Sequence, residues 1–499
     1  MSQLKKLVGE TAIYGISTIL GRTLNFLLVP LYTTQFNPAD YGVVTKLFAV
    51  VAFLNALYTY GMETAYFRFA SPEGSAEKDI FRSGLTSITL TSIILSGLLA
   101  LFATPLIEAL QYPGKERYVY WFAAIVAIDA IVALPFARLR LNGKAKHFAV
   151  AKLLNIGVNL GLNLFFIVLC KKIYEEDLWP GLKPTIEGIY NPDYGIDYIF
   201  ISNVVASALM LPLLSNVIFS VKPGISWKHL KPMLVYGYPI LLVGLAYATN
   251  EMFSRIMLDH WLPEKFYKDY SNEEALGIFG AVYKLSIFMA LGIQAFRLAA
   301  EPFFFSTSTQ KDSPQLYAKI MSWFIIFGSF VFVAISLNLD IIQYILGKEE
   351  YRLGIHVVPT LLLANLIFGV YFNLSVWYKL SDKTYYGTII TMIGAIVTVV
   401  LNYLLIPVMG YEGSALVTLF TYILMTSISY ILGRRHYPVP YKVLKGIGYL
   451  LSAVVITYAI LAIDISDIWL RKALHLLVLT IFAVIIYLLE KRDLPRKSV

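Results

Sequence analysis

The sequence predicts an all-α polytopic membrane protein, and three observations lead there. Hydrophobic residues make up 58% of the 499-residue chain and charged residues only 15%, against roughly a quarter charged in ordinary soluble proteins. Mean hydropathy is +0.67. The apolar residues come in runs of about twenty, the length a helix needs to cross a bilayer core of roughly 30 Å. A membrane β-barrel would show short alternating segments instead.

About fourteen spans follow from these runs, near 11–33, 41–62, 84–107, 118–137, 147–170, 197–220, 232–257, 275–298, 316–338, 354–378, 384–407, 412–433, 444–463 and 473–489. The first follows a basic Met1-Ser-Gln-Leu-Lys-Lys start and runs into Pro30-Leu-Tyr-Thr-Thr. No small-residue cleavage site is present there, so this span is expected to remain as an anchor. The second opens after Pro38-Ala-Asp, and the fourth is the apolar run from Trp121 to Pro135. Two loops stand out by length and turn content, 171–196 with Trp179-Pro-Gly-Leu-Lys-Pro, and 258–274. They decorate the outer surface or contact a substrate head group.

Net charge is +9, from 41 Lys and Arg against 32 Asp and Glu. In a soluble protein that excess would suggest nucleic acid; in this one it marks cationic cytoplasmic loops, and no nucleic-acid partner is expected. Loop cations such as Lys78, Arg82, Arg138, Arg140, Lys144, Lys146, Arg434 and Arg435 lie on the same side as the N-terminus. The positive-inside rule then puts both termini in the cytoplasm of a multi-pass inner (cytoplasmic) membrane protein with an even span count.

Several chemistries are excluded. Cys170 is the one cysteine, so no internal disulfide or Cys-rich metal site can form. The six histidines are scattered without ligand spacing, and no resident metal is expected. There is no phosphate-binding Gly-x4-Gly-Lys-Ser/Thr loop, nucleophile elbow or dinucleotide fingerprint, and no soluble domain to house a glycosyltransferase or kinase site. Catalytic residues are therefore not assigned.

An internal repeat organises the rest. Tyr41-Gly-Val-Val-Thr-Lys-Leu-Phe resembles Phe279-Gly-Ala-Val-Tyr-Lys-Leu-Ser. At one constant offset Gly42 pairs with Gly280, Lys46 with Lys284, Glu63 with Glu301 and Phe67 with Phe305. The two segments sit in spans two and eight, which run in the same direction, so the repeat is parallel. It implies two six-helix lobes related by a pseudo-two-fold axis along the membrane normal, 1–221 and 222–436, plus two C-terminal helices in 437–499. Transporters place substrate between such halves and rock one against the other.

Charges inside spans mark candidate sites, because each costs several kcal/mol at the bilayer centre unless paired or wet. Arg22, Lys46, Arg255 and Lys284 fall on the first two helices of each half. Facing a common cavity, they would suit an anion such as phosphate or pyrophosphate. The alternatives are snorkelling for Lys46 and Lys284, and for Arg255 neutralisation by Glu251, four residues away on one helix face. Asp129 stands in the apolar fourth span. It either couples transport to H⁺ or Na⁺, or pairs with Lys152 or Arg22. Asn155, Asn159 and Asn163 form one polar stripe that bonds another helix or faces a sugar-lined cavity. Glu63 and Arg68 are expected to pair at the cytoplasmic end of span two, with Glu301 as the matching gate or capping carboxylate of span eight.

The opening Val8-Gly-Glu-Thr-Ala-Ile-Tyr-Gly-Ile-Ser-Thr-Ile-Leu-Gly-Arg-Thr-Leu-Asn-Phe, then Pro38-Ala-Asp-Tyr-Gly and Arg140-Leu-Asn-Gly-Lys-Ala, resembles bacterial polysaccharide-biosynthesis flippases. These are the O-antigen and lipid-linked oligosaccharide translocases of the multidrug/oligosaccharidyl-lipid/polysaccharide exporter superfamily, cousins of the lipid II flippases. The resemblance implies a transporter, not an enzyme. Its cargo would be an undecaprenyl-pyrophosphate-linked oligosaccharide, moved to the periplasmic leaflet by alternating access. It implies that Arg22, Lys46, Arg255 and Lys284 engage the pyrophosphate, that spans thirteen and fourteen offer a groove to the lipid tail, and that polysaccharide polymerase machinery is a partner. The alternatives are a multidrug/cation antiporter of the same superfamily, which would want a more acidic cavity, and a membrane glycan polymerase or ligase, which would want a large catalytic outer loop.

Overall fold

The computed structural model describes residues 19–21, 23–24, 26–70, 76–176, 178–307 and 312–491. Regular structure among them is entirely helical, as a bilayer core demands of every backbone N–H and C=O. Ten helices are long and apolar enough to cross a membrane, eleven if the bent pair Asn272–Leu285 and Ile287–Leu298 counts as one. The helix Tyr385–His436 carries two expected spans. It reverses at Gly410, whose φ of 57° and ψ of −138° only glycine adopts without strain.

The chain divides into two compact units, Met1–Gly277 and Ile278–Val499. The first contains α1 (Leu28–Gln35), α2 (Pro38–Thr59), α3 (Met62–Phe69), α4 (Glu77–Leu101), α5 (Arg117–Leu141), α6 (Ala145–Asn163), α7 (Asp197–Ala208) and α8 (Trp227–Trp261). Local signals set these ends. Asn37 caps α2 by accepting from the Asp40 N–H at 2.8 Å, with Pro38 in the first turn. Tyr60 and Gly61, both at positive φ, end α2 and restart the chain as α3.

In hydrocarbon there is no hydrophobic drive to bring helices together, so close packing of small residues does that work. The antiparallel α2 and α8 show this along their length. A methyl group on Gly61 would lie 2.7 Å from the Gly237 carbonyl oxygen, and one on Gly244 would lie 3.3 Å from the Ala56 methyl. At its other end α2 packs instead against the next helix, Asn272–Leu285, where a methyl on Gly42 would collide with the Glu273 carbonyl and one on Gly277 with the Pro38 carbonyl. Elsewhere in this unit Val132, Phe136 and Leu139 of α5 pack with Phe148 and Ala151 of α6 and with Met210 and Leu214 after α7.

The second unit begins within α9 (Asn272–Leu285) and continues through α10 (Ile287–Thr307), α11 (Ser313–Leu337), α12 (Val358–Leu374), α13 (Tyr385–His436), α14 (Val443–Leu461) and α15 (Ile468–Glu490). Its core joins Ala364 and Tyr371 of α12 to Ile390, Tyr422 and Met425 of α13. The last helix is tied at both ends. Near its start Lys472 bonds Asp340 at 2.6 Å and Asn338 at 3.0 Å, and Arg471 lies 3.2 Å from Asp340. At its end the buried Glu490 takes Lys445 at 2.7 Å and the Tyr449 hydroxyl at 2.5 Å, both from α14.

Gly42→Val should disrupt the contact of α2 with α9, because the new side chain would meet the Glu273 backbone carbonyl, which cannot move aside as a side chain could. The expected cost is at least ~1 kcal/mol, read as a lower Tm of the detergent-solubilised protein. An unchanged Tm would contradict that contact.

Candidate functional site

The start of α2 and the end of α8 bring together charges that lie far apart in sequence. Lys46 of α2 lies against Asp259 of α8, with Nζ 2.8 Å from Oδ2 and 3.0 Å from Oδ1. It also donates to the Leu110 carbonyl at 3.0 Å, and the Tyr112 ring centroid lies 5.3 Å away. Both side chains are 2% exposed. With three acceptors the ammonium's three donors are matched. The pair therefore meets the condition under which a buried charge is tolerated. Lys46 does not snorkel.

Asp259 was not among the residues singled out from sequence, because the seventh span was ended at 257. The helix runs on to Trp261. One signal was available: Glu251, Arg255 and Asp259 recur every four residues and so share a face of α8. Arg255 is buried, with Nη1 2.9 Å from the Met252 sulfur and Tyr41 as a near neighbour. Glu251 is half-buried on the same stripe.

The structure distributes the other candidates more widely. Arg22 lies outside the described residues, and Glu301 is described in its backbone only, within α10. Lys284 is in the second unit, near the end of α9, and is exposed. Asp129 accepts the Ser207 hydroxyl at 2.8 Å, joining α5 to α7, and Lys152 is its charged neighbour. The Lys152 ammonium itself sits 4.4 Å from the centre of the Phe136 ring.

The asparagine stripe bonds neighbouring helices. Asn155 donates to the Ala206 carbonyl of α7 at 2.9 Å. Asn163 accepts the Tyr32 hydroxyl of α1 at 2.9 Å and donates to Asn159 Oδ1 at 2.9 Å. The expected Glu63–Arg68 pair is corrected. Glu63 pairs with Arg140 of α5, while Arg68 is exposed. Five residues along a helix turn the side chain by about 140° from its starting face, so the two point apart. Next to it Arg138 grips Glu77 through two nitrogens, each at 2.9 Å, and Tyr66 donates to the same carboxylate at 2.5 Å.

In the second unit α11, α12, α13 and α14 enclose a groove of about 380 Å³. Ile325, Ile367, Val370, Leu419 and Leu450 line its apolar wall, and Lys442 and Lys445 stand at one end. A second hollow of about 400 Å³ meets that end, lined by Lys319, Trp323, Lys442 and Glu490. The long loop after α6 contains short helical turns at Pro180–Leu182, Lys183–Glu187 and Pro192–Tyr194. No group of three or more metal-ligating side chains occurs among the described residues.

Comparison with known proteins follows the same lines. Residues 36–174 match the model of a family described as polysaccharide biosynthesis protein. No curated protein matches the chain by sequence. Among solved structures, "Lipid II flippase MurJ, inward closed conformation" is similar at a TM-score of 0.71 and 16% identity, over 97% of this chain and 100% of that one. An inward-facing multidrug resistance transporter of the MATE family and MOP superfamily aligns at 0.60 and 15% identity, over 83% and 94%. An outward-facing one aligns at 0.55 and 14%, over 85% and 94%. The fold is thus the one these transporters share.

Lys46→Met alone should destabilise the protein by about 3 kcal/mol or more, since it strands Asp259 in a dry setting. Lys46→Met combined with Asp259→Leu should recover most of that loss. Denaturation of the three proteins in detergent checks this; a double variant no better than the single one would contradict it.

Proposed function

We propose that this protein is a transporter of the flippase kind that moves an undecaprenyl-pyrophosphate-linked oligosaccharide from the cytoplasmic to the periplasmic leaflet of the bacterial inner membrane. The observation that carries the reading is basic charge kept buried on adjoining membrane helices. Arg255 and Lys46 sit on α8 and α2, in a fold shared with a lipid II flippase. A chain solvated by lipid retains deep cations only where something negative meets them. At Lys46 that partner is Asp259; a pyrophosphate carries charge of the same kind, and Arg offers it a planar two-pronged fork. The match of residues 36–174 to a polysaccharide biosynthesis family supports a glycan-bearing cargo. The apolar groove beside α14, with lysines at its mouth, offers the lipid tail a wall of matching chemistry.

In this reading Arg22, Lys46, Arg255 and Lys284 engage the cargo's pyrophosphate. Asp129, bonded to Ser207 and near Lys152, is the candidate for H⁺ or Na⁺ coupling. The termini face the cytoplasm, and polymerase machinery takes the product on the far side.

The MATE-like fold also supports a second reading, a multidrug/cation antiporter. Such a cargo would want carboxylates to outnumber cations around it. On α8 the stripe of Glu251, Arg255 and Asp259 is mixed, and Lys46 neutralises Asp259.

Complementation of a flippase-null strain separates the two. Arg22→Ala and Arg255→Ala should each cut the lipid-linked glycan reaching the periplasmic leaflet by about tenfold or more, at normal protein levels. Normal translocation by both variants would remove the cationic-cargo reading, and efflux of cationic drugs by the wild type would favour the second.

A further inference from the structure

The Lys46 ammonium is fully engaged, which leaves a cargo phosphate no way to reach it by simple addition. Its donors go to both Asp259 oxygens and to the Leu110 carbonyl, and the site is 2% exposed on both sides. An incoming anion must take the place of one acceptor. The Leu110 carbonyl belongs to the backbone beyond α4 and cannot leave without unfolding its segment. The carboxylate can leave, because it rides on α8, a separate helix.

We propose that Asp259 is a built-in stand-in for the cargo's phosphate. It holds Lys46 while the seam between α2 and α8 is shut, and the end of the seam at Lys46 parts when a pyrophosphate group takes the ammonium from it. The proposal rests on the anionic-cargo reading above and adds to it the residue that the cargo displaces.

The geometry suits an exchange. A carboxylate presents two oxygens to the ammonium at 2.8 and 3.0 Å; a phosphate presents oxygens of the same kind with more negative charge. Arg255 lies one turn before Asp259 on α8, so an anion arriving at Lys46 has a second cation within a turn of the group it evicts. The seam is built to respond as a unit. At this level Gly42 of α2 and Gly277 of α9 bring backbones together with no side chain between them, and Asn272 ties α9 to the end of α8 by donating to the Leu262 carbonyl at 2.9 Å. Once a phosphate holds Lys46, the displaced Asp259 carboxylate is left unpaired in a dry contact, and admitting water is the way it becomes solvated. Parting at this level is therefore the response to exchange, while the Gly61–Gly237 contact at the far end of the seam is untouched by it. The stand-in also explains why a lysine occupies a place where arginine would grip phosphate more firmly: a point charge can be handed from one oxygen pair to another without breaking a planar fork.

The test uses the full chain in nanodiscs with farnesyl pyrophosphate as probe and farnesol as its uncharged control. Hydrogen–deuterium exchange is followed in segments 40–50 and 255–262. In the wild type, farnesyl pyrophosphate should raise uptake in both segments, and farnesol should not. Asp259→Asn should show raised uptake without any probe and should bind farnesyl pyrophosphate more tightly, by about tenfold, because the competing carboxylate is gone. Lys46→Gln should show the same raised uptake and no response to the probe. Binding by Asp259→Asn that is no tighter than wild type overturns the proposal. So does wild-type binding that leaves the two segments unchanged, a measurement that needs no substitution to fold. Absence of farnesyl pyrophosphate binding in every form overturns the anionic-cargo reading itself, and the exchange with it.

Discussion

A charged group in hydrocarbon must carry its solvent with it, and in this protein Lys46 and Asp259 solvate each other. Their contact sets much of what surrounds it. An ion pair buried to 2% exposure holds only if both partners stay in register. That requirement is met by close packing on glycines, against α8 at Gly61–Gly237 and Gly244, and against α9 at Gly42 and Gly277. The third acceptor, Leu110, comes from the chain after α4. One ammonium thus locks three parts of the first unit. The same logic recurs where Arg138 holds Glu77, and where Asp340 and Glu490 hold the ends of α15.

The chain of cause runs from composition to packing and from packing to paired charge. Apolar runs make helices because lipid offers the backbone no partner. Small residues bring helices together because lipid offers apolar side chains no reason to leave it. Polar side chains then become expensive except in pairs, and the pairs record where the protein has a use for charge. Arg255 and Lys46 lie on such a record, and the proposed cargo is one that matches its chemistry.

Much of this was legible in the sequence, and the limits have physical reasons. Hydropathy placed the helices because a bilayer imposes one length on all of them, and the turn expected near 407–412 is the one Gly410 makes. The four-residue period of Asn155, Asn159 and Asn163 put them on one inward face, but not their partners. Tyr32 and Ala206 are supplied by other helices, and no local pattern encodes that pairing. Asp259 escaped notice because a carboxylate followed by His260 reads as the start of a loop, whereas the helix continues. Glu63 and Arg68 looked like a pair in one dimension. The break at Tyr60–Gly61 begins a short new helix on which they face apart, and Arg140, far along the chain, takes the glutamate.

The final helix is fastened like a strap with a buckle at each end, Asp340 at one and Glu490 at the other. Removing α14 and α15 would therefore not leave a self-sufficient bundle. It would leave Asp340 on the remaining bundle without its counter-ions, an acid stranded where the strap had been. Any lineage that discarded the last two helices would have had to rewrite that acid in the same step, which makes the appendage hard to lose once gained.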